Sequence, residues 1–266
     1  MLQLERHNHI VALLEQNGAM RVSQIAERLS VSRETIRRDL TELEGRGIIY
    51  RSHGGAILAE RPKPAAAYSV PVLPEFHRQG SFRTRSKIQT EAKTRMARQA
   101  LSLIRPKDTV LLDGSSSSWF LARQLPEMEF TVVTPSVSII QVLMSRPSIR
   151  LIGLGGDFSA LEESFFGEAT GKQLSDKNID TLFFSCQGLE RDRGIFTSSE
   201  AHASLLRQMF LAARRVVLLA DATKLGQIGS AHVCGFGDVD VLITEKFDDP
   251  LLQKEMIWHN IKVMSV

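Results

Sequence analysis

The stretch that decides the fold of the N-terminal region is VSQIAERLSVSRETIRRDLTELEGRGIIYRSHGGA, residues 22–56. Its first part predicts a short helix, in which one apolar stripe at helical spacing is formed by Ile25, Ala26 and Leu29. Ser23 is the predicted N-cap of this helix, and the helix is expected to end near Ser30. The helical pattern starts again after a short turn, which predicts a second helix directly behind the first.

That second helix carries the candidate chemistry. Ser32 can cap it, and its inward side at positions i, i+4 and i+7 consists of Ile36, Leu40 and Leu43. The opposite side is polar and basic in the first turns, where a recognition helix reaches base edges and phosphates in the major groove. The preceding helix would bridge the phosphate backbone. The predicted DNA contacts are Ser23, Ser32, Arg33, Thr35, Arg37, Arg38, Arg51 and His53.

Two further elements complete the predicted N-terminal unit. Apolar residues recur at helical spacing through residues 4–18, which predicts a helix upstream. Residues 48–57 contain two β-prone runs around a turn and predict a small hairpin, from which Arg51 and His53 could touch the DNA backbone or the minor groove. A short amphipathic helix pair could also carry arginines as a solvated face. The complete order of helices and hairpin favours DNA binding.

The pattern SxxTIRRDLxxLExxG, followed by RxHGGA, resembles the DNA-binding signature of DeoR-type bacterial regulators. The resemblance implies a winged helix-turn-helix with its core motif at about residues 20–39. It also implies that Arg37 and Arg38 contact DNA. Asp39 is expected to orient an arginine rather than to touch DNA.

Composition limits the other possibilities. The chain has 266 residues, a length that favours one small and one medium domain. No apolar run approaches the ~20 residues of a membrane helix, and the N-terminus lacks the pattern of a secretory signal, so we expect a cytoplasmic protein. Cys186 and Cys234 are too few for a disulfide framework and lack zinc-site spacing, so we expect reduced thiols, no metal and no cofactor. A net charge of +3 is compatible with a polyanionic partner.

A change in composition separates the two predicted domains. Between residues 59 and 80 an alanine-rich stretch of low periodicity is interrupted by Pro62, Pro64, Pro71 and Pro74. Prolines favour extended conformations and block a continuous helix. We therefore predict a winged helix-turn-helix domain at residues 1–58, a linker at 59–81 and an α/β effector-sensing domain at 82–266.

The second domain is predicted to begin with a basic helix at about residues 85–104. Its apolar stripe includes Ile88 and Met96, and Lys93 is expected to stay solvated or to face a ligand. Short apolar runs then alternate with helical segments, the runs being residues 109–112, 130–134, 149–154, 181–185, 216–220 and 239–243. Such alternation predicts a Rossmann-like α/β fold, a βαβ sheet with helices on both faces.

Most of these runs end in small, polar or glycine residues, and open α/β sheets bind ligands beyond the carboxyl ends of their strands. The candidate effector-binding residues on these loops are Asp113, Ser115, Ser116, Ser117, Ser118, Gly155, Gly156, Gly188, Asp221 and Lys224. The four serines precede a helix and offer hydroxyl and backbone N–H groups to a phosphate. Capping of that helix is the alternative role, and both roles can coexist.

The other candidates also have two roles open to them. Asp113 could accept hydrogen bonds from sugar hydroxyls or from backbone groups at the base of its loop. Lys224 could pair with a carboxylate or neutralise a ligand phosphate, although a single surface lysine usually has no such role. Gly155 and Gly156 permit either close approach of a ligand or a loop with unusual dihedral angles.

The second domain also resembles the sensor domain of the DeoR family, which is similar in fold to ribose-5-phosphate isomerase. The matching motifs lie around Asp113, Gly155 and Gly156, Gly188, and residues 221–224. The resemblance implies a phosphorylated sugar or a sugar-like effector. The chain departs from the family pattern at Ser115 and Ser117, where glycine and threonine are usual, and at Thr223, where serine is common.

Three functions are compatible with these patterns. The first is a repressor of a carbohydrate catabolic operon, in which effector binding lowers DNA affinity through a coupling of about 1 to 3 kcal/mol. Symmetric pairing on repeated half-sites would make it a homo-oligomer. The second is an enzyme similar to a sugar-phosphate isomerase, with Asp113, Glu200 and Asp221 as acid/base candidates by residue type only. The third is a structural DNA-binding protein without a ligand. The helix-turn-helix favours the first, and no catalytic residue is assigned.

Overall fold

The computed structural model describes residues 3–45, 48–52, 55–58, 80–245 and 249–266. The chain divides into two compact units, Met1–Glu75 and Phe76–Val266. Nearly all of the predicted linker lies outside the described residues, so its bounds stay a prediction. Within the described ranges, no helix is long and apolar enough to cross a membrane.

Within its described residues, the N-terminal unit contains three helices and three short strands. They are α1 (Gln3–Asn17), β1 (Ala19–Arg21), α2 (Val22–Leu29), α3 (Arg33–Gly45), β2 (Ile49–Ser52) and β3 (Gly55–Leu58). Strand β3 lies between β1 and β2 and is antiparallel to both. The apolar sides of helices and strands share one core, which includes Ile10, Leu14, Met20, Ile25, Ile36, Leu40, Leu43 and Ile49. This order confirms the predicted winged helix-turn-helix.

The turn between α2 and α3 follows the prediction. Ser30 adopts a left-handed conformation with φ of 53°, which ends α2. The Ser32 side chain then accepts a hydrogen bond from the Thr35 backbone N–H at 3.1 Å, and α3 begins at the next residue. A serine hydroxyl satisfies one of the N–H groups that have no carbonyl partner at a helix start.

The prediction that Ser23 caps α2 is wrong. The helix begins at Val22, with Arg21 in the N-cap position, and the Gln24 side chain accepts the Arg21 backbone N–H at 2.9 Å. The reason is strand β1, which pairs with β3 and brings the chain directly from a strand into the helix. A three-residue strand is too short to show an alternating pattern in the sequence.

The second unit contains all remaining elements. In chain order they are α4 (Phe82–Arg85), α5 (Thr90–Leu101), β4 (Thr109–Leu112), α6 (Ser116–Gln124), β5 (Phe130–Thr134), α7 (Val137–Leu143), β6 (Ile149–Gly153), β7 (Asp157–Ser159), β8 (Ser164–Phe166), α8 (Glu168–Lys172), β9 (Ile179–Phe184), β10 (Gly188–Glu190), β11 (Gly194–Thr197), α9 (Glu200–Ala212), β12 (Ala213–Leu219), β13 (Ala231–Cys234), β14 (Val241–Thr244), α10 (Pro250–Trp258) and β15 (Lys262–Ser265). Two short 3-10 helices, Ala222–Lys224 and Phe236–Asp238, lie between them.

A parallel sheet of seven strands forms the centre of this unit, in the order β15-β14-β12-β9-β4-β5-β6. Successive side chains along each strand point to opposite faces. Leu111 and Leu182 therefore belong to a core with residues of α9 and α10, while Val110 and Phe183 belong to a second core with residues of α5, α6 and α7. The structure confirms the predicted α/β sheet with helices on both faces.

Five of the strands outside the predicted set form smaller sheets. Strands β7 and β8 make an antiparallel hairpin, and β10, β11 and β13 make a three-stranded antiparallel sheet. A further strand, β15, extends the edge of the main sheet. Each of these six has only three or four residues, and none coincides with one of the apolar runs from which the sheet was predicted.

The prediction of one helix at residues 85–104 is wrong. The chain forms α4, turns at Gln89 with φ of 53°, and only then begins α5. Ile88 lies in the turn and is 50% exposed, whereas Lys93 is buried. The Lys93 ammonium donates to the carbonyl oxygens of Arg85 and Ile88, at 2.7 and 2.6 Å. At the break between the two helices, Lys93 thus adds a side-chain donor to the Ile88 carbonyl and to the Arg85 carbonyl, which also accepts the Ile88 N–H at 3.3 Å.

Candidate DNA-binding surface and effector site

The basic side of α3 is exposed, while its apolar side lies in the core. The side chains of Arg37 and Arg38 are 60% and 81% exposed, and Arg33 is also exposed. Ile36 and Leu40 on the opposite side are fully buried. The helix is therefore anchored by one side and presents guanidinium groups to solvent on the other, as a helix in a major groove requires.

Glu34 lies between the two exposed arginines. Its carboxylate oxygens are 3.6 Å from Arg37 Nη1 and 3.6 Å from Arg38 Nε. Ion pairs at this exposure contribute little to stability, because water screens them. Both guanidinium groups can therefore exchange this carboxylate for a DNA phosphate at low cost.

Asp39 lies on the buried side of α3 and has a different role. Its carboxylate accepts from Arg6 Nε at 2.5 Å and from Arg6 Nη2 at 2.9 Å, and the His7 ring nitrogen Nε2 lies 3.2 Å away. The bond to Asp39 raises the pKa of Arg6. The aspartate does orient an arginine, but the arginine comes from α1 and not from the exposed side of α3.

The remaining predicted DNA contacts lie in different places. Ser32 is exposed, and Thr35 is half-buried with its hydroxyl 2.8 Å from the Ser32 hydroxyl. Ser23 is half-buried at the second position of α2. The Arg51 side chain and the whole of His53 lie outside the described part of the chain, so their contacts stay predictions.

Asp113 directly follows β4 at the carboxyl edge of the main sheet and is buried. Its Oδ1 atom accepts from the Ser115 N–H at 3.1 Å and from the hydroxyls of Ser115 and Ser118, both at 2.6 Å. Its Oδ2 atom accepts from the Ser185 N–H at 3.0 Å. Of the two roles open to Asp113, the structure shows the one in which it binds groups of its own chain.

The serines after Asp113 form the start of α6. Ser115 is the N-cap, accepting the Ser118 N–H at 3.1 Å, and Ser116, Ser117 and Ser118 are buried. The capping role is thus present. The N–H groups in the first turn of a helix have no helical carbonyl partners and carry partial positive charge, so an anion can still bind here.

Hydrogen bonds connect the loops after three neighbouring strands. The Ser117 hydroxyl is 3.4 Å from that of Ser185, which follows β9. Ser185 in turn donates to the Leu219 carbonyl at the end of β12, at 2.7 Å. The loops after β4, β9 and β12 therefore meet at one edge of the sheet, because these strands are adjacent in it.

Asp221 and Lys224 belong to the same edge. Asp221 is buried and caps the 3-10 helix Ala222–Lys224, accepting the Thr223 N–H at 3.0 Å. Lys224 influences the pKa of both Lys93 and Cys186, which places its charge near them. Burial raises the pKa of the Cys186 thiol to about 12, so this thiol stays protonated at neutral pH.

The three predicted glycines differ in their surroundings. A Cβ at Gly188 would lie 2.3 Å from the Gln227 carbonyl oxygen, so the loop that carries Asp221 packs directly on it. Gly156 has φ of 148°, and a Cβ there would lie 2.0 Å from Thr170 Oγ1. A Cβ at Gly155 would meet nothing within 4 Å. No hydrogen bond in the described residues connects Gly155 or Gly156 with Asp113 or the serines.

Sequence reasoning missed several charged groups near this edge. Arg85 Nη2 donates to Glu162 Oε2 at 2.5 Å, and both side chains are largely buried. Burial lowers the pKa of Lys93 to about 8, against the opposing effect of Asp221. Burial also lowers the pKa of His202, whose ring lies 3.0 Å from the Thr197 hydroxyl. The sequence predicts Lys93 to be solvated or to face a ligand, whereas Arg85, Glu162 and His202 belong to no recognisable motif and no local pattern indicates them.

The two units match one family of proteins. Residues 6–61 match the DeoR-like helix-turn-helix domain, and residues 88–246 match the DeoR C terminal sensor domain. The chain belongs to the DeoR family. The prediction of a DNA-binding transcriptional regulator is therefore confirmed, and the DeoR sensor domain indicates that a small molecule controls it.

Full-length relatives of this DeoR-family chain regulate in opposite directions. The L-fucose operon activator of Haemophilus influenzae is 31% identical over 256 residues, which are 96% of this chain and 97% of the relative. The lactose phosphotransferase system repressor of Streptococcus mutans serotype c is 32% identical over 256 residues, 96% of each chain. The name of each relative refers to a sugar.

The likeness to solved structures is weaker. Ribose 5-phosphate isomerase A from Methanocaldococcus jannaschii aligns with 51% of this chain and 54% of its own, at a TM-score of 0.39 and 16% identity. A likeness of this size carries no argument about function. The DeoR assignment depends on the sequence matches.

Of the three departures of this chain from the usual DeoR pattern, only the one at Ser115 adds a hydroxyl group, because threonine and serine both carry one at the other two positions. The Ser115 hydroxyl bonds to Asp113 and caps α6, which a glycine could not do. The Ser117 hydroxyl lies near that of Ser185, and the Thr223 hydroxyl donates to Asp221. The added Ser115 hydroxyl therefore ties the start of α6 to Asp113.

Proposed function

We propose that this DeoR-family regulator represses a carbohydrate catabolic operon and that a phosphorylated sugar relieves the repression. The DNA-binding part of this proposal rests on the exposed basic side of α3. Arg37 and Arg38 lie in solvent, while Ile36 and Leu40 lie in the core. An anchored helix with solvent-exposed guanidinium groups suits base and phosphate contacts in a major groove. As a DNA-binding regulator the chain acts in the cytoplasm.

The effector site that we propose lies at the carboxyl edge of the main sheet. The start of α6 supplies N–H groups at Ser116 and Ser117, which suit a phosphate. Lys224 and Asp221 lie on the adjoining loop, where one could balance the phosphate charge and the other could meet sugar hydroxyls. The sugar systems named in the two relatives support a sugar-derived effector.

The three acid/base candidates of the enzyme alternative, Asp113, Asp221 and Glu200, give it little support. Asp113 accepts four hydrogen bonds from its own chain, and Asp221 caps a 3-10 helix. Glu200 is exposed and paired with Arg207. A general base needs a carboxylate oxygen directed at a substrate proton, and both oxygens of Asp113 already accept hydrogen bonds within the protein.

We further propose that the regulator is a homo-oligomer. One winged helix-turn-helix reads only a short half-site, and two copies related by symmetry read two half-sites about one helical turn apart. The operator is therefore expected to contain repeated or inverted half-sites.

The DNA-binding half is tested with genomic fragments and purified full-length protein. Wild type should prefer a small set of fragments over random duplex, and its affinity should fall steeply with salt. Arg37→Ala should lose about 1 to 3 kcal/mol of binding free energy if Arg37 reads a base. Arg191→Ala is the matched control, because Arg191 is an arginine of the second unit that pairs with Asp192. Absence of any fragment preference would contradict the proposal.

The effector half is tested on the fragment that wild type selects. Ribose 5-phosphate, fructose 1-phosphate, fructose 6-phosphate and glucose 6-phosphate are added singly, with the unphosphorylated sugars as controls. At least one phosphate ester should lower DNA affinity by about 5- to 150-fold, the usual range of allosteric coupling. Turnover of any of these esters would favour the isomerase-like enzyme, and a lack of any effect would favour a DNA-binding protein without a ligand.

A further inference from the structure

One buried hydroxyl near the proposed effector site is not used by the fold. Ser164 is the first residue of β8 and is 1% exposed. Its Oγ atom has no hydrogen-bond partner among the described residues. Proteins normally pair their buried hydroxyls, so an unpaired one calls for a specific explanation.

The Ser164 hydroxyl faces the loop that leads into α6. A Cβ built on Gly114 would lie 2.4 Å from Ser164 Oγ, so the hydroxyl packs directly against the Gly114 backbone. Gly114 lies between Asp113, at the end of β4, and Ser115, the N-cap of α6. The absence of a side chain at position 114 is what leaves room for the hydroxyl beside this loop.

The backbone on both sides of Ser164 is held in place. The Val137 N–H donates to the Glu163 carbonyl at 2.9 Å, and the Phe165 N–H donates to the Pro135 carbonyl at 2.9 Å. Both bonds join the β7–β8 hairpin to the loop after β5, the neighbour of β4 in the sheet. The position of the Ser164 backbone is therefore fixed, and its hydroxyl can move only by side-chain rotation.

Two independent features thus meet at Gly114. One is the start of α6, whose first-turn N–H groups favour an anion. The other is a hydroxyl that is buried, unpaired and directed at the same loop. A phosphate oxygen is a strong acceptor and suits both groups at once.

We propose that Ser164 is a further effector-binding residue, whose hydroxyl donates a hydrogen bond to the phosphate group bound at the start of α6. The inference rests on the proposed function, because it assigns a residue to the same phosphate subsite. Binding of the phosphate pairs a hydroxyl that the free protein leaves unpaired, so the ligand gains affinity from a cost already present in the fold. The hairpin β7–β8 thereby becomes part of the effector site.

The test compares two variants that remove the same kind of group. Ser164→Ala deletes the hydroxyl at issue. Thr181→Val deletes the hydroxyl of Thr181, which is also 1% exposed and also unpartnered among the described residues. Thr181 lies near the start of β9, away from the carboxyl edge of the sheet. Both variants should melt at the same temperature as wild type or higher when no ligand is present, because each loses a desolvated hydroxyl.

The two variants should differ in phosphate binding. Full-length proteins are titrated by calorimetry with inorganic phosphate and with the four sugar phosphates named above. Ser164→Ala should bind phosphate compounds at least tenfold more weakly than wild type, whereas Thr181→Val should bind them like wild type. Ser164→Cys replaces the hydroxyl with a larger thiol that is a weaker donor and should also bind phosphate compounds more weakly than wild type, which serves if the alanine variant does not fold.

The outcomes separate this inference from the proposed function. If wild type and both Ser164 variants bind the same sugar phosphate equally well, the role of Ser164 is wrong while the effector site stands. If Thr181→Val loses as much affinity as Ser164→Ala, the effect is not local to the subsite and the role is also wrong. If wild type binds none of the phosphates, the effector assignment fails and the role of Ser164 fails with it.

Discussion

Arg6 on α1 holds Asp39 on α3 through two hydrogen bonds, from Nε to Oδ2 at 2.5 Å and from Nη2 to Oδ1 at 2.9 Å. Asp39 is almost fully buried, and the His7 ring lies beside it. Because Asp39 is next to Arg38 in the sequence, this contact acts together with the buried Ile36 and Leu40 to fix the rotation of α3 about its axis. The direction in which the exposed arginines point therefore depends on a residue of the first helix.

Replacing Arg6 should destabilise the N-terminal unit without removing a DNA contact. Arg6→Met leaves the Asp39 carboxylate buried with His7 as its remaining described partner, and loss of one member of a buried pair costs about 3 kcal/mol. Urea denaturation followed by a probe in this unit measures the change. Arg38→Ala is the control, since its side chain is 81% exposed and its loss should alter stability by no more than about 0.5 kcal/mol. Equal stability of the two variants would contradict the role given to Arg6.

Asp113 should contribute to stability as well as to any ligand binding. In Asp113→Asn one acceptor oxygen becomes an NH₂ group, which would face the donors of Ser185 or of Ser115 and Ser118. We expect a loss of about 3 kcal/mol in the free energy of unfolding without ligand. Asp108→Asn provides the comparison, because Asp108 accepts a single backbone N–H near the surface, from Arg105. A fully stable Asp113→Asn protein would show that the hydrogen bonds around Asp113 are dispensable.

The buried Lys93 predicts a stability change at alkaline pH. Its pKa is lowered to about 8 by burial, while an unfolded lysine titrates near 10.4. Between these values the unfolded chain holds one more proton than the folded chain, so stability rises with pH. The cost of burying the charge is thus complete below pH 8 and disappears toward pH 10. The neutral amine still has two N–H groups for the carbonyls of Arg85 and Ile88.

The measurement is the free energy of unfolding of wild type minus that of Lys93→Met, from pH 7 to pH 10. This difference should increase by about 1 to 3 kcal/mol over the range. Lys87 is exposed in the turn before α5, so the free energy of unfolding of Lys87→Met should change with pH in the same way as that of wild type. A difference for Lys93→Met that does not change with pH would mean that Lys93 keeps an ordinary pKa.

The two adjacent glycines after β6 should respond differently to alanine. Gly156→Ala forces a side chain into a left-handed backbone and against Thr170 Oγ1, with an expected cost of about 3 kcal/mol. Gly155→Ala meets open space and should stay within about 0.5 kcal/mol of wild type. Thermal melts of both variants measure the contrast. Loss of effector binding in the stable Gly155→Ala protein would indicate that the ligand approaches this glycine, whereas similar melting temperatures would contradict the packing described for Gly156.

Short-range properties of the chain explain which predictions succeeded. Ser32 caps α3 and Ile36 is buried as expected, because capping and helical periodicity depend on neighbours within one or two turns. Strands β4 and β5 have the predicted bounds for a similar reason, since each is a compact apolar run between polar segments. The helix interrupted at Gln89 was missed because Lys93, which supports the break, is an ordinary helix residue in a sequence pattern.

The sequence by itself determined the winged helix-turn-helix, the basic side of its third helix, the alternation of strands and helices, and the loops on which an effector site could form. Only the tertiary structure decided that Asp113 accepts the N–H of Ser185, 72 positions away. The same is true of the bond between Arg6 and Asp39, and of the approach of Ser164 to Gly114. These contacts arise from the order of strands in the sheet and from helix packing, where residues distant in the chain become neighbours. Local periodicity contains no information about which distant side chain fills a given gap.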